Sequence, residues 1–313
     1  MTTSSTSPPV TTVRTDTHGL AAAASAFLIW GLLPLYLKLF HSLSALQVTS
    51  HRLLWGCLFA MGWLAVRNQL GQVRTALANP KVRWRLCTSA ALISVNWIVY
   101  VWGVSHDRVV EASLGYFINP LVNVTLGVLV LSERLNKAQW TAVTIAALGV
   151  AYLTWTAGHP PWISLTLAIT FGLYGLVRKL VQVDSLAGLA TETLLLVPFG
   201  LGYLVWYEVA GAGAASSIGA GTYLLLIFSG PITAIALVLF AYGARRIPYS
   251  TVGLLQYIAP SMQLLLGVFL YHEPFGGSRA VGFALIWTAL AIYATDGLWR
   301  SRKMIESVRG TGS

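Results

Sequence analysis

Two stretches of the sequence, 140 residues apart, decide the fold: YFINPLVNVTLGVLVLSE at residues 116–133 and QYIAPSMQLLLGVFLYHE at residues 256–273. When the two stretches are aligned at this offset, they share a proline (Pro120 or Pro260), a Gly-Val pair seven residues later, and a final glutamate. The register continues backwards without a gap and aligns Gly103 with Gly243. Self-similarity at a fixed offset is typical of a chain built from two copies of one structural unit.

The composition places both copies in a membrane. The 313 residues are 56% hydrophobic and only 10% charged, whereas a soluble domain carries about 25% charged residues. The formal net charge is +10, but the basic residues lie between apolar segments and form no continuous face. We therefore expect no nucleic acid partner. The expected partner of the apolar segments is membrane lipid.

A helix that crosses a bilayer needs about 20 apolar residues, and the sequence predicts ten such helices. The predicted spans are 19–40, 45–66, 85–105, 112–131, 137–157, 162–180, 186–207, 221–243, 249–271 and 278–298. Residues 1–18 are rich in Ser, Thr and Pro and are predicted to be a disordered cytoplasmic tail, and residues 301–313 a second cytoplasmic tail. The predicted repeats are residues 19–157 and 158–300.

The basic residues predict the orientation of the spans. Sixteen of the 20 lysines and arginines fall on the side that carries the termini, and only Lys38, Arg108 and Arg279 fall on the other. Cytoplasmic loops carry such an excess of positive charge. We therefore predict a multi-pass protein of the bacterial inner (plasma) membrane with both termini in the cytoplasm.

An odd number of spans in each repeat makes the two repeats cross the membrane in opposite senses. The predicted fold is thus an all-α integral membrane protein of ten transmembrane helices, arranged as two inverted five-helix repeats. Such repeats are typical of secondary transporters, which expose a central site to each side in turn. The predicted function is a permease for a small metabolite or drug-like solute.

The two prolines suggest hinges at the centre of the molecule. Proline removes a backbone donor, so carbonyls near residues 116 and 256 should lose their partners, which is tolerated only inside the bundle or beside a wet cavity. Pro120 and Pro260 are the candidate hinges. The candidate solute contacts next to them are Tyr116, Asn119, Gln256 and Tyr257. The alternative is a structural kink that a neighbouring helix fills.

Several runs resemble a known family. They are 51–55, 96–102, 111–120, 174–179 and 255–260, and the most specific run is SLGYFINP at 113–120. Across residues 19–300 they resemble the RarD group of EamA-type permeases in the drug/metabolite transporter superfamily. The resemblance implies ten helices and transport and leaves the solute open. Ala236 departs from it, since the group would carry a proline there.

Two charged residues lie within predicted spans, where an ionised side chain costs several kcal/mol unless it faces protein or water. Arg52 and Glu192 are equivalent under the 140-residue offset, but inversion places them on opposite sides of the midplane, which argues against a direct ion pair. Arg52 either binds an anionic group or helix carbonyls, or snorkels outward. Glu192 either carries a coupling proton or makes a static hydrogen bond to a neighbouring helix.

Further candidates for solute contact are Asn96 and Tyr100, which are four residues apart and so share a helix face, and Tyr174 from the family-like run at 174–179. Amide and aromatic groups suit an amphipathic solute. His51 and His272, near the ends of spans, are expected at the surface. Glu133 and Glu273 are expected to close their helices at the surface in structural roles.

The sequence carries no motif of the common membrane or soluble enzymes. It has no Walker loop, no His-Glu-x-x-His pair and no Gly-x-Ser-x-Gly elbow, so we expect no enzyme activity, no cofactor and no metal. Two cysteines, Cys57 and Cys87, give no disulfide framework. A channel-like pore and a non-transporting membrane enzyme remain the alternatives to a carrier. The sequence leaves open whether a proton is coupled to transport and whether the chain forms a homodimer.

Overall fold

The computed structural model describes residues 16–131, 135–247, 251–252 and 255–310, and within these ranges the regular structure is entirely helical. The helices are α1 (Thr17–Leu37), α2 (Ala45–Val66), α3 (Leu70–Ala78), α4 (Pro80–Ser105), α5 (Val109–Leu131), α6 (Lys137–Ala157), α7 (Trp162–Lys179), α8 (Ser185–Val209), α9 (Ala214–Ser217), α10 (Ala220–Ala244), α11 (Ile258–Leu265) and α12 (Ser278–Gly310).

Seven of the described helices are long and apolar enough to cross a membrane, namely α1, α4, α5, α6, α8, α10 and the first part of α12. A shorter apolar helix covers Ile258–Leu270. Helices α2 and α7 lie at two further predicted positions. The prediction of an all-helical membrane protein is therefore confirmed.

Polar caps define where the helices begin. The side chain of Asp16 accepts the amides of His18 and Gly19 at the start of α1. Ser44 with Gln47 and Asn136 with Gln139 form capping boxes at α2 and α6. Each cap satisfies backbone donors that the first turn of a helix leaves free.

The ninth predicted span, 249–271, is interrupted by a turn at residues 256 and 257; residues 251, 252 and 255 before it are helical, and residues 248–250 and 253–254 lie outside the described residues. Helix α11 begins at Ile258 and ends in a π-helical segment, Leu266–Leu270. Pro260 lies in the first turn of α11, where a missing N–H leaves no intrahelical bond unmade. Pro120, in contrast, lies in the middle of α5. At the other end, α12 continues to Gly310, twelve residues past its predicted end.

Neighbouring helices approach closely where small residues meet. At Gly230 of α10, an added Cβ would collide with the backbone of Trp55 and Gly56 in α2. At Gly115 of α5, an added Cβ would come within 2.7 Å of the carbonyl oxygen of Ser164 in α7. Small residues at such crossings let helix backbones touch, which favours helix association in lipid.

Packing in the bundle follows a regular scheme. Helix α1 packs on α10 and α11, and α7 packs on α4 and α5. Helices α2 and α8 pack on each other, as do α6 and α12, and α5 and α11. The buried polar groups described next lie where α2, α4, α5, α7 and α8 meet.

Candidate functional site

Arg52 is a buried cation without a counter-ion. Arg52 is 4% exposed. Its Nη2 donates a hydrogen bond to Oγ1 of Thr233 in α10 at 3.5 Å. Its Nη1 is buried and has no hydrogen-bond partner. Among the residues that the structure describes, no carboxylate lies within ion-pair distance of Arg52, which leaves its charge uncompensated.

Aromatic side chains enclose this guanidinium. Its central carbon lies 5.0 Å from the centroid of the Trp97 ring in α4, a cation-π distance. The titratable groups near it are the phenols of Tyr36, Tyr100 and Tyr116. Tyr100 and Tyr116 meet edge to face at 5.7 Å, and the Oη of Tyr100 is buried without a partner. We call Arg52 and the surrounding rings of Trp97, Tyr36, Tyr100 and Tyr116 the enclosure. Two of its buried donor atoms, Arg52 Nη1 and Tyr100 Oη, have no hydrogen-bond partner.

Asn96 holds this enclosure together. Its Nδ2 donates to the carbonyl of Leu167 at 3.0 Å and to Oγ1 of Thr170 at 2.9 Å, both in α7. Its Oδ1 accepts from the Oη of Tyr116 in α5 at 3.3 Å. Because these contacts occupy both groups of the amide, Asn96 positions Tyr116 and leaves no free polar group for a solute.

Glu192 belongs to a second polar group, which side chains of α4, α7 and α8 form. The residue is 1% exposed and accepts from Oγ of Ser89 in α4 at 2.6 Å. Nη1 of Arg178 lies 3.6 Å from its Oε1, and Oη of Tyr174 donates to its Oε2 at 3.4 Å. Unlike Arg52, Glu192 has a counter-ion and two hydrogen bonds.

The other predicted contacts lie apart from these two groups. Tyr257 stacks on Phe117 at 6.4 Å within an apolar cluster that includes Phe283 of α12. Gln256 lies in the turn before α11. Asn119 is buried, and its Oδ1 has no partner. No described hydrogen bond, ion pair or ring contact joins Gln256 or Tyr257 to Arg52 or Glu192.

Two surface predictions are wrong. His51 is 3% exposed and meets the ring of Tyr223 edge to face at 5.7 Å, because its turn of α2 faces α10. Glu273 is 6% exposed, and its carboxylate accepts the amides of Val109 and Val110 at 2.6 and 2.8 Å. It therefore caps the N-terminus of α5, where a negative charge is favoured. Glu133 lies outside the described residues.

The polar groups around Arg52 and Glu192 also contain four residues that were not among the predicted site residues: Arg178, Ser89, Tyr36 and Thr233. Arg178 had the strongest available signal, since it is a basic residue in the last turn of α7. That position is equally typical of a cytoplasmic topology signal, and Arg178 is one of the sixteen basic residues on the predicted cytoplasmic side. Which neighbouring helix a side chain faces is set by tertiary packing and leaves no mark in the local sequence.

Ion pairs connect helices at both ends of the bundle. At one end, Lys38 pairs with Asp107 and lies 4.2 Å from the centroid of the Tyr271 ring. At the other end, Arg245 pairs with Asp184. The described residues contain no cluster of three or more His, Cys, Asp or Glu side chains that could hold a metal ion.

Comparison with known proteins agrees with this architecture. Residues 17–155 match the model of the EamA-like transporter family. The chain is 43% identical to the protein RarD of Streptomyces exfoliatus, over 94% of each chain. It is 42% identical to an uncharacterized transporter of Pseudomonas aeruginosa, over 92% of this chain and 96% of that one. RarD of Escherichia coli is 38% identical over 91% of this chain and 97% of its own.

A crystal structure of another protein is among the solved structures with a similar fold. It superposes with a TM-score of 0.55 and covers 88% of this chain and 96% of that chain. The sequence identity is 20%, so this likeness concerns the fold alone.

Proposed function

The chain belongs to the EamA-like transporter family as a RarD-type permease, and from this premise we propose that it is a secondary carrier that moves a small organic solute by alternating access. The observation that carries the proposal is Arg52, a buried guanidinium with a free Nη1 inside an aromatic enclosure. A charge within a span costs about 2.5–3.5 kcal/mol at the helix centre. A merely structural arginine would have a carboxylate or several carbonyls as partners.

Paired contacts between helices support a ten-helix inverted repeat. An added Cβ at Gly31 of α1 would lie 2.9 Å from Cβ of Met262 in α11. An added Cβ at Gly172 of α7 would lie 2.9 Å from Cγ1 of Val122 in α5. Met262 and Val122 are equivalent at the offset of 140, and Gly31 and Gly172 are equivalent after a slip of one residue, at an offset of 141. Two related halves that pack against each other through equivalent helix contacts can rotate relative to each other about a shared centre.

In the proposed mechanism the ion pairs at the two ends act as gates. The excess of basic residues on one side supports a cytoplasmic location of both termini in the bacterial inner membrane. In that orientation, Lys38 and Asp107 close the outer end and Arg245 and Asp184 close the inner end. Opening one gate while the other stays closed would expose the Arg52 enclosure to one side at a time.

Glu192 is the candidate carrier of a coupling proton. It is buried, it is held by Arg178 and Ser89, and it lies in the inner half of the proposed orientation. Intramembrane carboxylates with a nearby cation commonly mark proton relays. Protonation of Glu192 would release Arg178 and loosen the contact between α7 and α8.

Counterflow in proteoliposomes tests the carrier function. Vesicles that contain the purified protein are loaded with a bacterial metabolite extract, and the solutes retained and exchanged are identified by mass spectrometry. We expect saturable exchange of a defined solute, its loss in Arg52→Gln, and its retention in Arg74→Gln, a matched change at an exposed arginine of α3. Non-saturable flux without counterflow would indicate a pore.

A further inference from the structure

We propose that the solute is an organic monocarboxylate, whose carboxylate binds between Arg52 and Tyr100 while its apolar body lies against Trp97 and Tyr116. This inference rests on the proposed function and specifies the chemical class of the solute. It follows from the charge, the free donors and the walls of one enclosure.

The charge of the enclosure calls for an anion. The guanidinium of arginine stays protonated in proteins, and Arg52 is 4% exposed. The titratable groups near it are the three phenols Tyr36, Tyr100 and Tyr116, which are uncharged at neutral pH in water. A buried cation is stabilised only when an opposite charge and hydrogen bonds replace its water. A bound anion would supply both.

The single positive charge of the enclosure favours a carboxylate over a phosphoryl group. Arg52 Nη1 and Tyr100 Oη are the two buried donors of the enclosure without a partner. Arg52 Nη2 is engaged by Thr233, and Tyr116 Oη by Asn96. A carboxylate carries one charge, which matches the single guanidinium, and its two oxygens can accept from Arg52 Nη1 and from Tyr100 Oη. A phosphoryl group carries nearly two negative charges, more than one guanidinium balances.

The walls of the enclosure favour an apolar body next to the carboxylate. The Trp97 ring covers one face of the guanidinium. The edge-to-face pair of Tyr100 and Tyr116 continues to Phe171, whose ring lies 6.1 Å from that of Tyr116. Solute sites are largely apolar with a few placed polar groups that orient the ligand. An aliphatic or aromatic acid fits this description.

Matched pairs of carboxylates and amides test the assignment with the purified protein in detergent. The probes are benzoate and benzamide, phenylacetate and phenylacetamide, and hexanoate and hexanamide, each pair alike in shape but different in charge. Binding is measured by titration calorimetry and by the shift of the thermal unfolding midpoint. We expect at least one acid to bind and to raise the midpoint, and its amide to bind at least tenfold more weakly.

Three variants locate the binding site. Arg52→Gln should weaken binding of the acid by about 10- to 100-fold, the loss expected for a hydrogen-bonded charge. Tyr100→Phe keeps the ring and removes one donor, and should weaken binding by about threefold to tenfold. Arg74→Gln should bind as the wild type does. Tyr100→Phe keeps the test decisive if Arg52→Gln fails to fold.

The outcomes separate this inference from the carrier function. Equal binding of acids and amides, or wild-type affinity in both Arg52→Gln and Tyr100→Phe, would overturn the monocarboxylate assignment. Counterflow of amines or neutral solutes alone would overturn the assignment and leave the carrier function standing. Acid binding that depends on Arg52, without counterflow of any solute, would support the assignment and remove the carrier function.

Discussion

The guanidinium of Arg52 lies 5.0 Å from the centroid of the Trp97 ring, so helices α2 and α4 meet through a buried cation-π contact. The indole is the best of the aromatic faces for such a contact. No described carboxylate lies next to Arg52. In the absence of solute, the cation is therefore stabilised by this cation-π contact and by its hydrogen bond to Thr233.

The contact between Trp97 and Arg52 predicts a measurable coupling energy. Trp97→Leu should lower the free energy of unfolding by about 1–3 kcal/mol through lost packing and lost cation-π attraction, and Trp97→Phe should lower it less. A double-mutant cycle with Arg52→Gln, measured by thermal or denaturant unfolding, should give a coupling of about 0.5–2 kcal/mol. Strict additivity would mean that the two side chains do not interact.

Glu192 should control coupling and not solute exchange. Glu192→Gln keeps the shape of the side chain and one acceptor oxygen for Ser89 Oγ, but removes the proton-binding charge and the second acceptor, to which Tyr174 Oη donates. We expect normal counterflow and loss of uphill uptake driven by a pH gradient across proteoliposomes. Arg74→Gln, at an exposed residue of α3 outside the proposed gates, controls for the loss of a single charge. Uphill transport retained by Glu192→Gln would contradict the assignment of the coupling proton.

Glu273 should stabilise the start of α5. Its carboxylate accepts two backbone amides, from Val109 and Val110, and Glu273→Ala leaves both buried donors without partners. The free energy of unfolding should fall by about 1–3 kcal/mol, measured from the thermal midpoint in detergent. His272→Ala, at the exposed neighbour, is the control. Equal midpoints for the two variants would show that the cap contributes nothing.

The charge bias predicts the topology. In a background with Cys57 and Cys87 replaced by serine, His159→Cys should react with an impermeant thiol reagent added to intact cells, and Thr75→Cys should not. Both residues are exposed. In inverted membrane vesicles the reactivity should reverse. The opposite pattern would place the termini outside and refute the proposed orientation.

Much of the fold could be predicted from the sequence because hydrophobic length and capping residues are local properties. Helix α6 begins at Lys137, as predicted, behind the Asn136 capping box. The turn that interrupts the ninth span at residues 256 and 257 could not be predicted, because Pro260 can either kink a long helix or follow a turn into a new helix. Only contacts with α1 and α5 distinguish these alternatives.

Within the site, the ionisable residues were predictable and their partners were not. A charge inside an apolar span is visible in the sequence, so Arg52 and Glu192 were both candidates. Their different surroundings were not visible: Glu192 has Arg178 as a counter-ion, while Arg52 has aromatic rings. Likewise, burial of His51 depends on how α2 packs against α10, which is a property of the assembled bundle.

Accessibility of position 233 from the two sides tests the central claim, because Thr233 contacts Arg52. In the cysteine-free background, Thr233→Cys is labelled with an impermeant thiol reagent in right-side-out and in inverted vesicles. Removal of the outer ion pair by Lys38→Ala should favour the outward-open state, and so raise the outside labelling rate and lower the inside rate. Removal of the inner pair by Arg245→Ala should do the reverse. Opposite changes on the two sides are the result that alternating access predicts; outside labelling that rises in Lys38→Ala while inside labelling stays constant would contradict it.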